Sequence, residues 1–307
     1  MKHNQYSFIL LTLFISIFFF KSPYAFARWE AGAKAGFDSN IDRAIDGGTS
    51  DSYLTGFLSI MREPDEESNI DWSLNLALEG AGYVDSKDLN YGMATVSPAI
   101  IFYPNTRWRI DISPFFQAIG VSDTEQSAVA FGGKISIRQS WNYTFYTGEY
   151  FVYTDNRADV EIYSYKDKAA GIYAGMNWTD AFWSEIGYEF SRGDSFRAVE
   201  DVSTTQVVTS QIVTSQGGSG GQGGTGQGGT GQGGTGQGST GSPPRYSKAF
   251  NAYIISEPVD RQTIGINMGY QFTRQIFSFI NYAYTSYKGD AGTSKSHTVA
   301  IGLGYNF

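Results

Sequence analysis

The final segment, Thr298-Val299-Ala300-Ile301-Gly302-Leu303-Gly304-Tyr305-Asn306-Phe307, constrains the fold most, because it alternates strictly. Successive strand side chains point to opposite faces. Val299, Ile301, Leu303, Tyr305 and Phe307 therefore share one face, and Thr298, Ala300, Gly302, Gly304 and Asn306 share the other. One face is apolar and the other is small or polar. A soluble sandwich can carry such a pattern, but here it recurs along almost the whole chain behind an export signal. Together these features predict an all-β fold, a transmembrane antiparallel β-barrel.

Lys2 and His3 precede an apolar run from Phe8 to Phe20, and Ala25-Phe26-Ala27 offers the small residues a signal peptidase accepts. Residues 1–27 read as a removed signal peptide and residues 28–307 as the barrel. The apolar run is shorter than the ~20 residues of a spanning helix, and no later segment is continuously apolar, so any span must be a strand. The chain has no cysteine, so an exported fold must be held by packing and closed hydrogen bonding. Removing Lys2 and Lys21 leaves 20 basic against 30 acidic residues, a net charge of −10. That balance opposes nucleic-acid binding, which needs basic surface.

Alternation recurs from Arg28 to Phe37, with Trp29 and Phe37 outward if Arg28, Glu30 and Lys34 face inward. Further strands are expected near Tyr53 to Met61, Asp71 to Tyr83 and Tyr91 to Tyr103, and after Pro104-Asn105. Pro98 and Pro114 fall within strands, where a bulge is expected to absorb the missing donors. Short turns at Ser140 to Asn142, Thr179-Asp180 and Thr273-Arg274 belong to the periplasmic side, and longer connections such as Asp155 to Lys168 and Lys288 to Ser296 to the outside. The count is 12 strands, with Phe250 to Ile255 placed above the membrane as an extension of the tenth; 14 is possible if Phe196 to Val213 crosses too.

Residues 191–261 read as one long extracellular loop. Within it, 217–242 is a Gly/Gln/Thr repeat with no apolar residue to bury, which predicts a disordered tether.

Arg107, Arg109, Asp111, Lys134 and Arg138, with Glu30, Glu79, Glu149, Glu185 and Glu189, are the candidate pore-lining residues. In a water-filled barrel they would tune the field felt by solutes; in a narrow one they would form a paired polar core. Trp29, Trp72, Trp108 and Trp178 are candidate membrane-interface aromatics, joined by Tyr305 and Phe307, while Tyr83, Tyr91, Tyr153 and Tyr287 mark the opposite rim. His297 is the one histidine left after signal removal, and alternation turns it outward. No enzyme activity, metal or cofactor is therefore expected.

The closing Tyr305-Asn306-Phe307 resembles the final-strand signature read by the bacterial outer-membrane barrel assembly machinery. Gly36-Phe37-Asp38-Ser39-Asn40-Ile41-Asp42-Arg43 is similar to the first strand and loop of poorly characterised porin-type barrels. The resemblance implies a Gram-negative outer-membrane protein in contact with outer-membrane lipids and lipopolysaccharide. Twelve-strand relatives by architecture include a phospholipase, an autotransporter translocator, and nucleoside or acidic-sugar channels. The phospholipase's histidine and serine arrangement is missing here, as is a passenger followed by a plugging helix. The resemblance thus implies a channel for passive diffusion of small hydrophilic solutes, monomeric or loosely self-associating. The alternative is a non-conducting scaffold or adhesion barrel that engages a protein partner through its long loop.

Overall fold

The computed structural model describes residues 27–64, 68–199 and 245–307. The expected signal peptide, apart from Ala27, and the repeat at 217–242 lie outside the described residues. Thirteen strands appear: β1 (Ala27–Asp38), β2 (Asp51–Arg62), β3 (Ile70–Tyr83), β4 (Tyr91–Asn105), β5 (Trp108–Val121), β6 (Ala128–Ser140), β7 (Phe145–Ala158), β8 (Tyr165–Asn177), β9 (Phe182–Val199), β10 (Arg245–Ser247), β11 (Ala252–Gln271), β12 (Ile276–Gly289) and β13 (Gly292–Asn306). All pair antiparallel with their neighbours, and β13 pairs with β1 to close a 12-strand wall. The three-residue β10 pairs only with the upper part of β11. Because β9 pairs directly with β11, no further pair of strands enters the wall between them.

Each wall strand has the predicted two faces. On β13, Val299, Ile301 and Leu303 are exposed outward, while Ala300, Gly302 and Gly304 are buried within. Interior aromatic rings lie flat over glycines on the directly opposite strand. Phe277 covers Gly304, Phe279 covers Gly302, Phe57 covers Gly32, Phe115 covers Gly132 and Trp183 covers Gly269; a Cβ at any of these glycines would collide with the ring.

The two interior prolines are accommodated without the expected bulge. Register is continuous from Val96↔Phe116 to Ile100↔Ile112, which sets Pro98 opposite Pro114. Two residues without an N–H thus face each other, so neither strands a partner's carbonyl by itself. Ser113 donates its hydroxyl to the Pro98 carbonyl at 3.0 Å, and Ser97 and Ser113 share a hydrogen bond of 2.8 Å. The irregularity lies further along, between Phe102 and Asn105.

One end of the barrel carries repeated four-residue turns. Trp141, Trp178 and Phe272 each donate a backbone N–H to the carbonyl four residues on, at 2.9–3.0 Å. Asn142, Thr179 and Thr273 each accept from the backbone three residues ahead, a side-chain cap that fixes the turn. At the other end, the expected long connection from Lys288 to Ser296 is instead a two-residue turn, since β12 runs to Gly289 and β13 starts at Gly292. The expected 191–261 loop is also partly strand. Residues 194–199 of β9 and 252–259 of β11 pair only with each other on the wall side, because the β8 ladder ends at Gly193 and the β12 ladder starts at Asp260.

This two-stranded ribbon crosses the mouth. Its Ala198 and Ile254 share a buried apolar cluster with Phe250, Ala44 of the β1–β2 loop, Leu89 of the β3–β4 loop and Ile162 and Tyr163 of the β7–β8 loop. In a ring of 12, the β3–β4 junction stands diametrically opposite the β9–β11 junction, so the cluster joins ribbon and loops from opposite sides of the opening. Arg197 is fully buried within this cap. Its Nη1 donates to Glu257 Oε1 and to the Gly292 carbonyl, both at 2.8 Å, and Ala291 N–H donates to Glu257 Oε2 at 2.9 Å. Arg43, held at a φ of 55°, donates to Ser195 Oγ at 2.7 Å and stacks on Phe196 at 4.5 Å.

The ring-on-glycine packing makes a paired test. Gly175→Val would drive a branched side chain into the Tyr146 ring, whereas the outward-facing Gly56 has no atom within 4 Å of a Cβ. We expect Gly175→Val to lose about 1–3 kcal/mol by overpacking and Gly56→Val to stay within about 0.5 kcal/mol of the parent, read as urea midpoints of the refolded barrel.

Candidate functional site: the barrel interior

The interior wall from β6 to β11 is an ordered set of columns. Lys134 and Arg138 stand four residues apart on β6; Tyr146 and Tyr150 follow on β7, Tyr173 on β8, and Glu185 and Glu189 on β9. Two strands carry complementary patterns: Tyr146, Gly148 and Tyr150 face Gly175, Tyr173 and Gly171 in register. Every tyrosine therefore lies over a glycine, and a Cβ there would strike its ring. Tyr173 sits between the other two, at 6.2 and 6.4 Å between centroids.

Charge is distributed unevenly across these columns. Tyr146 donates its hydroxyl to Glu185 at 3.1 Å and Tyr150 to Glu189 at 2.8 Å. Arg261 of β11 bridges Glu189 at 3.1 Å and Asp167 at 3.0 Å. Arg138 instead rests on the Tyr146 ring at 3.8 Å, and Lys134 on the Tyr150 ring at 4.8 Å. The result is a cationic column held by aromatic faces, separated by tyrosines from an acidic column.

Two more clusters line the rest of the wall. Lys34 pairs with Glu79 at 3.1 Å, and Glu79 also accepts from the Tyr91 hydroxyl at 2.5 Å. Arg109 pairs with Asp111 at 2.8 Å, and Ser136 donates to Asp111 at 3.4 Å. These interior ion pairs keep contact with solvent: side-chain exposure is 24% and 23% for Lys34 and Glu79, and 31% and 25% for Arg261 and Glu189. The Arg197–Glu257 pair in the cap shows 0% and 5%. The interior is thus accessible to water, whereas the cap is dry.

Of the ten candidate lining residues, eight face inward: Glu30, Glu79, Arg109, Asp111, Lys134, Arg138, Glu185 and Glu189. Glu149 does not. It is exposed on the outer face between its cross-strand neighbours Ile137 and Ile172, in alternation with the outward Phe151. Arg107 does not line the wall either; it is an exposed turn residue before β5, its N–H donated to Asn105 Oδ1 at 2.9 Å. Asp167 and Arg261 join the interior although both fell within expected loops. Their signal in the sequence was the continuing alternation of β8 and β11 past the apolar band.

Trp29, Trp72, Trp108 and Trp178 all stand at the short-turn end. Trp29, Trp108 and Trp178 are exposed outward, and Trp72 lies beneath the Arg62 guanidinium at 4.1 Å. Trp178 Nε1 donates to Ser184 at 2.8 Å, and Trp141 Nε1 repeats this on Thr147 at 2.9 Å. Tyr305 and Phe307 meet edge to face at 4.8 Å on the outer surface. At the loop end the expectation is corrected for Tyr83, Tyr91 and Tyr287, whose registers turn them inward; Tyr153 alone of that set faces out. His297 faces outward as expected, hydrogen-bonded to Tyr282 at 3.0 Å.

No protein-family model matches the chain, and no curated protein matches it. Among solved structures, an outer-membrane channel from Pseudomonas putida F1 aligns with 93% of this chain and 97% of its own, with a TM-score of 0.56 and 6% identity. The NanC porin aligns with 90% of this chain and 98% of its own at a TM-score of 0.47 and 8% identity, and the KdgM porin with 91% and 99% at 0.44 and 9%. At such identities the likeness is one of fold: with its closed 12-strand wall the chain has the antiparallel β-barrel fold of that outer-membrane channel.

Proposed function

We propose that this barrel sits in the outer membrane of a Gram-negative bacterium and conducts small hydrophilic solutes passively, its short turns in the periplasm. The observation that carries the reading is the hydrated interior, whose ion pairs retain about a quarter to a third of their exposure while aromatic rings pack against cross-strand glycines of the wall. A paired, dehydrated polar core would have buried those groups. The outward Trp girdle supports the placement in lipid and lipopolysaccharide, and Tyr305 and Phe307 add an outward aromatic pair. The chemistry is one of fields and sieving, with no covalent step.

The column of Lys134 and Arg138 should set ion preference. In planar bilayers, the double variant Lys134→Gln with Arg138→Gln is expected to shift the reversal potential toward cations. Arg107→Gln, at the rim, should leave it unchanged.

The ribbon over the mouth favours a second reading, a non-conducting scaffold that offers its extracellular surface to a protein partner. The two readings part on the cap. Removing one member of a buried ion pair costs about 3–5 kcal/mol, so Glu257→Gln should loosen the ribbon. If the barrel is a channel, single-channel steps should become larger or longer. Folded protein that stays silent with Glu257→Gln as without it would decide for the scaffold.

A further inference from the structure

Glu149 stands apart on the outer surface. Among the described wall residues, the other outward charges gather at the loop end, such as Asp155, Arg157, Lys166 and Lys168, or close a strand at the turn end, as Arg62 does. Glu149 instead lies within the apolar band, exposed, one outward position beyond the level of Trp108, Gln139 and Thr147. A carboxylate on a lipid-facing surface is unfavourable unless something meets its charge.

The surface beside it is concave. A depression of about 670 Å³ runs from Trp108 and Gln139 past Glu149 to Ile186 and Ile264, with the small Ala174 between Thr147 and Ile186. A second, of about 450 Å³, continues from Glu149 past Ala170 to Phe151. Each is of ligand size, and both share Glu149, Ile137, Ile172 and Tyr188. An apolar trough that starts at a lone anion near an interfacial tryptophan matches an amphiphile with a cationic head and hydrocarbon tails.

We propose that this trough is a lipid site in which Glu149 binds the primary ammonium of a phospholipid headgroup while the acyl chains run toward the loop end along Ile172, Ala170 and Phe151. The inference rests on the outer-membrane placement above. The ammonium both neutralises the carboxylate and donates hydrogen bonds to it, which a headgroup bearing only hydroxyls and a net negative charge does not.

The test uses purified full-length barrel in a nonionic detergent, offered phosphatidylethanolamine and phosphatidylglycerol with identical acyl chains at equal concentration, with bound lipid counted by native mass spectrometry. Retention of the ethanolamine lipid is expected to exceed the glycerol lipid at least fivefold. Glu149→Gln should abolish that preference, and Glu63→Gln, at the turn-end rim, should keep it. Ala170→Leu, which fills the trough on the loop-end side of Glu149, should lower retention of both. Equal retention by the parent protein, or a preference that survives Glu149→Gln, would overturn the site. So would a dimer that Glu149→Gln dissolves, since that assigns the face to a second copy. Conductance of the same preparation separates the two ideas: a silent barrel with the lipid preference loses only the channel, and a conducting barrel without it loses only the lipid site.

Discussion

Everything in this molecule depends on the seam between its first and last wall strands. In hydrocarbon an unpaired backbone N–H or carbonyl has no water to turn to, so a sheet must close on itself or stay out. The β1–β13 ladder runs from Glu30↔Asn306 to Asp38↔Thr298, and side chains clasp it at both ends. Arg28 donates twice to Asn306 Oδ1 at the turn end, and Ser296 and Thr298 donate to Asp38 at the loop end. Closure then dictates the two faces, because a wall with no edge has only an inside and an outside. The Pro98–Pro114 pairing is a consequence of the same constraint. A proline in a closed wall cannot be sent to an edge, and setting two opposite each other confines the missing donors to one place, where serine hydroxyls supply hydrogen bonds.

The width of the interior is set by glycine. A tyrosine or phenylalanine standing up from a 12-strand wall would reach toward the axis; laid over a cross-strand glycine, it becomes part of the wall. The alternation of Tyr and Gly between β7 and β8 does this three times in succession, and it presents the hydroxyls sideways to Glu185 and Glu189. The same rings give Arg138 and Lys134 a surface to rest on without ion pairing. Packing and electrostatics of the lining are therefore one arrangement.

The sequence made the wall legible because a closed wall with an apolar outside and a polar inside imposes a period of two. Val299 through Phe307 could be assigned face by face, and so could most of the interior charges. The departures share a cause, which is that residue type and alternation point to opposite faces at these positions. Glu149 alternates with Phe151 and so belongs outside, but a carboxylate suggested the interior. Tyr83, Tyr91 and Tyr287 suggest a rim girdle by residue type, though their registers aim them inward, opposite Tyr53, Ala81 and Arg261. Beyond Gly193 and Asp260 the neighbouring ladders end, and the two-faced pattern ends with them. Residues 194–199 and 252–259 carry polar and apolar groups on both faces, and only their pairing with each other and with loops from the far side of the mouth shows that they form a ribbon.

Two kinds of ion pair now distinguish two parts of one molecule. Those of the interior stay wet, so each member keeps part of its hydration and the pair can part and re-form at small cost. The Arg197–Glu257 pair is dry, and in a dry setting the cost of desolvating both ions consumes much of their attraction. Apolar residues of the same size would hold the ribbon at least as firmly. What the ion pair adds is placement, since Arg197 and Glu257 must each also meet the backbone of the two-residue β12–β13 turn, at Gly292 and Ala291, and only one seating of the ribbon satisfies both. A cap fixed in that way is held by geometry more than by strength.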